Sequence, residues 1–480
     1  MDFVQGGTQE GMQKDRISLS LEEVLSSVDG KLLCGGKSKT LDFEGVATDS
    51  RNVKENYIFF PLVGQQNGHE YIDAALKNGA SIVFVTDFFY QFHANKIFEL
   101  KKLGITVICV SHTMYALQNL ASLYVSKFPN LIKIGITGSS GKTTTKEIAV
   151  KVLSQKYNVV YNEGNLNSET GLPLSVFKIR KEHQVGVFEM GMNRKGEISE
   201  LASVLKPRYG IITNIGSAHI GILGSRKNIA IEKREIFKFF DSSCRGFVPS
   251  DDDFVDFLCE AKGQIKKYGF ESVSEIQDLG LKGTSFVLDD EKIILPLCGK
   301  YNLKNSLSVI ALAKELGFSA KEIKAGIESV KPIFGRNQII EGKYTLIQDC
   351  YNANPDSMEA SIEFFDSVKW DNKKIFVLGS MLELGWESES EHEKIVSLAE
   401  NSSADFIVFF GKEMAEAAKK LDSENAKIPY LVSESTDENA VSFVAEELEK
   451  HLLLGDLVLF KGSRGMALER ISKKLMDQEK

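Results

Sequence analysis

Lys142 and Thr143 close the run Ile134-Gly135-Ile136-Thr137-Gly138-Ser139-Ser140-Gly141-Lys142-Thr143-Thr144-Thr145, whose residue types suit the phosphates of a nucleotide. An apolar strand over 133–137 feeds a Gly/Ser loop, and a helix is expected to open at Thr143. The backbone N–H groups of such a loop converge with the helix N-terminus on polyphosphate. Gly138 and Gly141 let the backbone approach the anion with no Cβ in the way. Lys142 is long enough for the β/γ-phosphates, and the Thr143 hydroxyl is a ligand for Mg²⁺. Thr137, Gly138, Ser139, Ser140, Gly141, Lys142, Thr143 and Thr144 are the expected ATP cradle. The commonest spacing of this loop wants glycine at 136, where Ile136 stands and Gly135 falls one residue early. An ordinary Gly-rich strand–helix turn is the plain alternative. ATP binding is the better reading.

In an open α/β sheet, ligands gather at the carboxyl ends of the strands. The strand 185–188 runs into Glu189, a position that suits an acidic partner of a phosphate-loop Mg²⁺ and equally a solvated strand end. The strand 210–214 leads to His219, either a metal or phosphate contact or an idle loop side chain. Lys233, in the helical run Ile229-Ala230-Ile231-Glu232-Lys233-Arg234-Glu235-Ile236, reads from spacing alone as a solvated lysine.

At 480 residues the chain is long enough for two to four domains with well-filled cores. A formal charge of −8, with both signs mixed along the sequence, argues against a general nucleic-acid binder. Cys34, Cys109, Cys244, Cys259, Cys298 and Cys350 are scattered without a C-x-x-C pair, as free thiols in a reducing cytoplasm would be. Neither a signal peptide nor a membrane span is expected, and a monomer is the default.

The elements that must position these residues alternate. Helices at 114–128 and 143–157 flank the phosphate-loop strand, and strands follow at 185–188, 210–214 and 245–249. Short strands and turns fill 264–298, ahead of helices at 302–316 and 320–330. After Pro332 the alternation restarts, with strands at 345–349, 374–378, 406–410, 429–432 and 457–461. Helices between and after them begin near Asp356, Ser390, Glu413, Asp437 and Met466. This pattern implies a second parallel-sheet α/β domain. The expected division is a disordered tail 1–16, a small mixed α/β domain 17–112, a central P-loop ATPase-type α/β domain 113–332 and a C-terminal Rossmann-like α/β domain 333–480.

The chain resembles the Mur ligases, ATP-dependent amide-forming enzymes of peptidoglycan precursor synthesis. Thr137 to Thr143 match the family's T-G-x-x-G-K-T loop, which accounts for the displaced glycine. Thr48-Asp49-Ser50-Arg51 with Gly68-His69, Gly164-Asn165-Leu166-Asn167, Glu189-Met190-Gly191, Thr213-Asn214-Ile215-Gly216…His219 and Lys461-Gly462-Ser463-Arg464 also match. The string Asp349-Cys350-Tyr351-Asn352-Ala353-Asn354-Pro355-Asp356-Ser357-Met358 is similar to the one that marks the dipeptide-adding member. Tyr301 replaces a common His, Cys350 a Ser, Ser380 an Asp in Leu378-Gly379-Ser380-Met381-Leu382-Glu383-Leu384-Gly385, and Asn67 an Asp.

The resemblance implies ligation of D-alanyl-D-alanine to UDP-N-acetylmuramoyl-tripeptide through an acyl phosphate. It implies catalytic roles for Lys142, Glu189, His219 and Lys233, and two Mg²⁺ ions held by Thr143, Glu189, His219 and a CO₂-derived carbamate on Lys233. Asn302, Asn305, Arg336 and Asp349 are the further ATP contacts it implies. On the substrate side it implies Ser50 and Arg51 for the UDP moiety, with Asn165, Asn167, Tyr351, Asn352, Asn354, Asp356, Lys461, Ser463 and Arg464. A turn-and-cap role explains Asn354-Pro355-Asp356 nearly as well. The rivals are a ligase for a different amine, such as another Mur enzyme or a folylpolyglutamate synthase, and an ATP-binding regulator without catalysis.

Overall fold

Parallel strands need crossovers, and the helices that supply them alternate with strands over most of this chain. A computed structural model describes residues 16–36, 38–421 and 426–477. The tail expected over 1–16 therefore lies, except for Arg16, outside the described residues. Contacts group the chain into two compact units. One holds the described residues up to Leu131 together with Val160–Gly186 and Ser203–Leu205; the other holds Ile132–Val159, Val187–Ala202 and the described residues from Lys206 onward. This grouping differs from the boundaries expected at 112 and 332.

In the first unit, a five-stranded sheet runs Lys31–Cys34, Thr106–Val110, Ala80–Thr86, Tyr57–Phe59, Gly45–Ala47. Only its Lys31–Cys34 edge is antiparallel. Phe59, Val83, Val85 and Val107 pack beneath Ile72 and Leu100 of its helices. Tyr124 of the helix Thr113–Ser126 donates its hydroxyl to Ile179 O at 2.6 Å, which ties that helix to the segment after Val160.

The phosphate-loop sheet has the order Gln264–Tyr268, Arg245–Pro249, Tyr209–Ile212, Ile132–Thr137, Val185–Glu189, Val159–Tyr161. Ile212 pairs with Thr137 in parallel register, so the loop leaves the sheet beside Thr213 and Asn214. The strand expected over 210–214 stops at Ile212 because Thr213 and Asn214 turn their side chains to the loop. The following helix is Lys142–Leu153, one residue earlier than expected. It is preceded by Gly141 at φ +80° and has no side-chain cap, so its first N–H groups are left for another acceptor.

The second large sheet runs Gln338–Glu341, Thr345–Asp349, Leu457–Lys461, Lys374–Gly379, Phe406–Phe410, Tyr430–Ser433. All of its pairings are parallel except the first. The antiparallel edge Gln338–Glu341 was not foreseen; such edges are common on otherwise parallel sheets. The helix expected near Met466 is a single 3₁₀ turn, Arg464–Met466, followed by Glu469–Asp477. Ala467 at φ +47° breaks the two apart. A small antiparallel sheet, Ser274–Asp278, Thr284–Leu288 and Glu291–Leu295, accounts for the short strands expected there.

Candidate nucleotide site

The phosphate loop is held open by its neighbours rather than by itself. Asn214 Oδ1 accepts from the N–H groups of Ser139 and Ser140 at 3.1 and 3.0 Å. Thr213 Oγ1 donates to Ser140 O at 2.5 Å, and Thr137 Oγ1 donates to Met190 O at 2.9 Å. Ser139 Oγ accepts from Gly216 N at 2.8 Å, and Thr144 is buried in the first helical turn. Glycine is required twice. A Cβ on Gly138 would lie 1.8 Å from Thr213 Oγ1, and one on Gly141 would lie 2.2 Å from Asn305 Oδ1. Lys142 Nζ folds back on the loop, donating to Gly138 O at 2.9 Å and Ser139 O at 3.4 Å.

Glu189, buried at its strand end, accepts from Thr143 Oγ1 at 2.8 Å. The solvated alternative is thereby excluded. Both groups are hard oxygen donors of the kind Mg²⁺ takes, leaving room for water and phosphate oxygens in its shell. Among the described residues no three His, Cys, Asp or Glu side chains gather to hold a metal unaided.

Lys233 is 1% exposed, which overturns the reading of a solvated helix lysine. The buried face of its helix, Arg226–Arg234, is Ile229, Ala230, Glu232 and Lys233, spaced at three and four residues. That spacing was the signal missed. Glu232 fixes the helix by accepting from Gly196 N at 2.9 Å and Ile198 N at 3.0 Å. Burial drives the Lys233 amine well below the ordinary lysine range, the charge of Lys142 adds to this, and Glu232 opposes it. Among the described residues its Nζ has no hydrogen-bond or ion-pair partner. Lys142 is itself lowered by burial, against Glu189 and with Arg336, so these four groups share one electrostatic neighbourhood.

Asn302 and Asn305 are both buried; Asn302 Nδ2 donates to Cys298 O, while Asn305 abuts the loop at Gly141. The Tyr301 hydroxyl is bonded to Asn337, and burial raises its pKa well above the usual phenol value. The guanidinium of Arg336 covers the ring of Tyr351 at 4.4 Å. Asp349 pairs with Lys461 at 2.8 Å and accepts from Ser361 Oγ at the same distance. Lys461 also donates to Asn352 O, and Ser463 Oγ accepts from Leu382 N. Arg464 is paired with Glu469.

Asn354 caps the helix Pro355–Ser367 through Ser357, as the turn-and-cap alternative holds, and its Nδ2 also donates to Ser140 Oγ at 3.0 Å. Asp356 Oδ2 accepts from Ser217 N at 2.7 Å and Ser217 Oγ at 2.6 Å. His219, at φ +64°, has Nδ1 2.8 Å from Glu383 Oε2. In the other compact unit, exposed Arg51 clasps Asp49 with Nε and Nη2 beside buried Ser50. This pair holds the Asp49 carboxyl at about 2. Asn165 and Asn167 form a tight turn there, Asn167 N donating to Asn165 O. Sequence reasoning assigned no role to Asn214, Glu232 or Glu383. Asn214 stands just past a strand's carboxyl end, and Glu383 lies in the string Leu378 to Gly385.

Fold and site define a P-loop nucleotide-binding α/β protein. Residues 136–313 match the Mur ligase middle domain, and 335–464 match the Mur ligase, glutamate ligase domain. The UDP-N-acetylmuramoyl-tripeptide–D-alanyl-D-alanine ligase of Treponema pallidum is 43% identical over 94% of this chain and 98% of its own. A crystal structure of MurF from Acinetobacter baumannii superposes with a TM-score of 0.85 at 28% identity, covering 96% of this chain and all 100% of that one. MurF from Thermotoga maritima, solved in complex with ADP, gives 0.75 at 26% identity, covering 91% and 98%. The chain belongs to the Mur ligase family, with its three-domain α/β architecture.

Proposed function

We infer that this chain joins D-alanyl-D-alanine to UDP-N-acetylmuramoyl-tripeptide with the hydrolysis of ATP to ADP and phosphate, a step of peptidoglycan precursor synthesis. The observation that carries the reading is the phosphate loop, with Thr143 on Glu189 and a buried Lys233, in a chain whose near-full-length relatives bear that activity in their names. A carboxylate does not accept an amine in water until one of its oxygens is made a leaving group. The tripeptide's terminal carboxylate oxygen attacks the γ-phosphorus, the bond to ADP breaks, and an acyl phosphate forms. The dipeptide amine then attacks the acyl carbon, loses a proton, and phosphate departs with the former carboxylate oxygen.

Both reactants of the first step are anions, so catalysis is positioning plus positive charge at the transferring phosphoryl group. Lys142, the loop N–H groups and Arg336 supply that charge from the protein. One Mg²⁺ would take Thr143 and Glu189, which already meet, and a second would take His219 and a carbamate on Lys233; bound there, they would neutralise phosphate charge. Burial that lowers the Lys233 amine well below the ordinary lysine range supports the carbamate, because only an unprotonated lysine nitrogen adds to CO₂. Asn302, Asn305 and Asp349 complete the ATP contacts. Ser50 and Arg51 face the UDP moiety, with Asn165 and Asn167 on the same substrate. Tyr351, Asn352, Asn354, Asp356, Lys461, Ser463 and Arg464 serve the dipeptide side, though the bonds of Asn354 and Asp356 favour capping and docking for those two.

The proposed division is 17–112 for the UDP-substrate, 113–332 for ATP and 333–480 for the dipeptide. The protein acts as a cytoplasmic monomer on small molecules; among the described residues no helix is long and apolar enough to cross a membrane. Phosphate release is the test. It should require the UDP-tripeptide and D-alanyl-D-alanine together, whereas dipeptide-independent release would favour a regulator.

A further inference from the structure

Glu383, in the string Leu378 to Gly385, faces a proposed metal ligand. We propose that Glu383 is a positioning residue for His219, holding the imidazole by Nδ1 so that Nε2 keeps the ring's free lone pair. The inference rests on the role assigned to His219 above.

Three observations carry it. The first is the contact itself, with His219 Nδ1 2.8 Å from Glu383 Oε2 and the His219 side chain only 14% exposed. Nδ1 is buried and makes no well-aligned hydrogen bond among the described residues, so the carboxylate meets it as a close charged neighbour lying off the ideal hydrogen-bond line. The second is backbone conformation. His219 and Glu383 both adopt the left-handed region, at φ +64° and +69°, which L-residues avoid and which persists where the surroundings demand it. An ordinary surface ion pair needs no such strain, since two long side chains find each other from relaxed backbones. The third is the seam beside the pair. A Cβ on Gly221 would lie 2.5 Å from Gly385 N, and one on Gly385, itself at φ +58°, 2.8 Å from Gly221 Cα. Glycine on both sides lets the helical turn Ile220–Leu223 touch the 3₁₀ turn Gly385–Glu387 where the carboxylate meets the ring. Ser217, two residues before His219, is pinned by Asp356.

A carboxylate at Nδ1 selects the tautomer with its proton there and orients the ring of a ligating histidine. Because Glu383 comes from the segment after the strand Lys374–Gly379, His219 is set only while that segment is docked on the helical turn Ile220–Leu223 that His219 precedes.

The test uses the full chain with Glu383→Gly, Glu383→Met and Glu383→Gln. Glycine relieves the strained backbone, so that variant should melt no lower than wild type; methionine keeps the length without an acceptor. In metal-free, nucleotide-free enzyme labelled at the histidine ring nitrogens, the His219 signal is the one lost in His219→Gln. We expect it to leave the Nδ1–H tautomer in the Gly and Met variants and to return partly in Glu383→Gln. Turnover should fall about tenfold to a hundredfold in the first two, with KM for ATP and dipeptide within about twofold and Glu383→Gln partly restoring kcat. Trp386→Ala, on the same turn and exposed, should change neither reading. An unchanged tautomer with kcat within about threefold in Glu383→Gly, alongside an inactive His219→Gln, would overturn the positioning role alone. An active His219→Gln would instead overturn the role of His219 and the proposal with it.

Discussion

A Cβ on Gly138 would stand 1.8 Å from Thr213 Oγ1, so the phosphate loop leans on the next strand end through a glycine. Gly138 also sits at φ +155°, at the edge of what other residues tolerate. Gly138→Ala should push Thr213 from its bond to Ser140 O and close the loop. Calorimetry should then show ADP affinity at least tenfold weaker, about 1.4 kcal/mol or more. Unchanged ADP affinity would mean the loop does not hold phosphate in this form.

Arg51 tests the other compact unit. It is exposed and, among the described residues, bonded only to its neighbour Asp49, so Arg51→Ala should leave the melting temperature nearly unchanged. Its KM for the UDP-tripeptide should rise at least fivefold, while KM for ATP and dipeptide stay put. Equal weakening of all three would make Arg51 a structural residue.

His69 should show in the pH dependence of stability. Burial lowers it from 6.5 to about 4, and its Nε2 accepts from Thr86 N. The unfolded chain therefore binds the proton more readily, and stability present above 6.5 is lost as pH falls toward about 4. A shift of that size corresponds to at most about 3 kcal/mol. His69→Phe keeps the stack on Phe89 but not the titration. The gap in melting temperature between wild type and variant should narrow over that range, and a constant gap would contradict the assignment.

Lys233→Ala should lose nearly all turnover yet fold, and short carboxylic acids should restore part of the rate by supplying an anionic oxygen in the vacated space. Near-normal turnover in the variant would remove the carbamate, leaving Glu189 and His219 as the protein metal ligands beyond the loop.

The sequence was most legible where one short run carries both a shape and a chemistry. Gly138, Gly141, Lys142 and Thr143 needed no tertiary information, since strand, loop and helix follow one another along the chain. Glu189 and Asn214 were half legible. Their strand-end positions were plain, but which strands flank the loop depends on sheet order, which local pattern does not encode. From spacing alone Lys233 reads as solvated because a charged side chain is expected outside, although it continues the buried stripe of Ile229 and Ala230. The His219–Glu383 contact joins residues more than a hundred positions apart, and no local pattern announces it. The antiparallel edge Gln338–Glu341 was missed because four residues with two adjacent isoleucines have no clear period.

The central claim is that the tripeptide's carboxylate is activated by phosphorylation, and oxygen tracing tests it directly. With heavy oxygen in that terminal carboxylate, one turnover with ATP and D-alanyl-D-alanine should deliver one labelled atom to inorganic phosphate and keep the other in the new amide carbonyl. Label appearing in AMP, or phosphate released without label, would contradict the acyl-phosphate account.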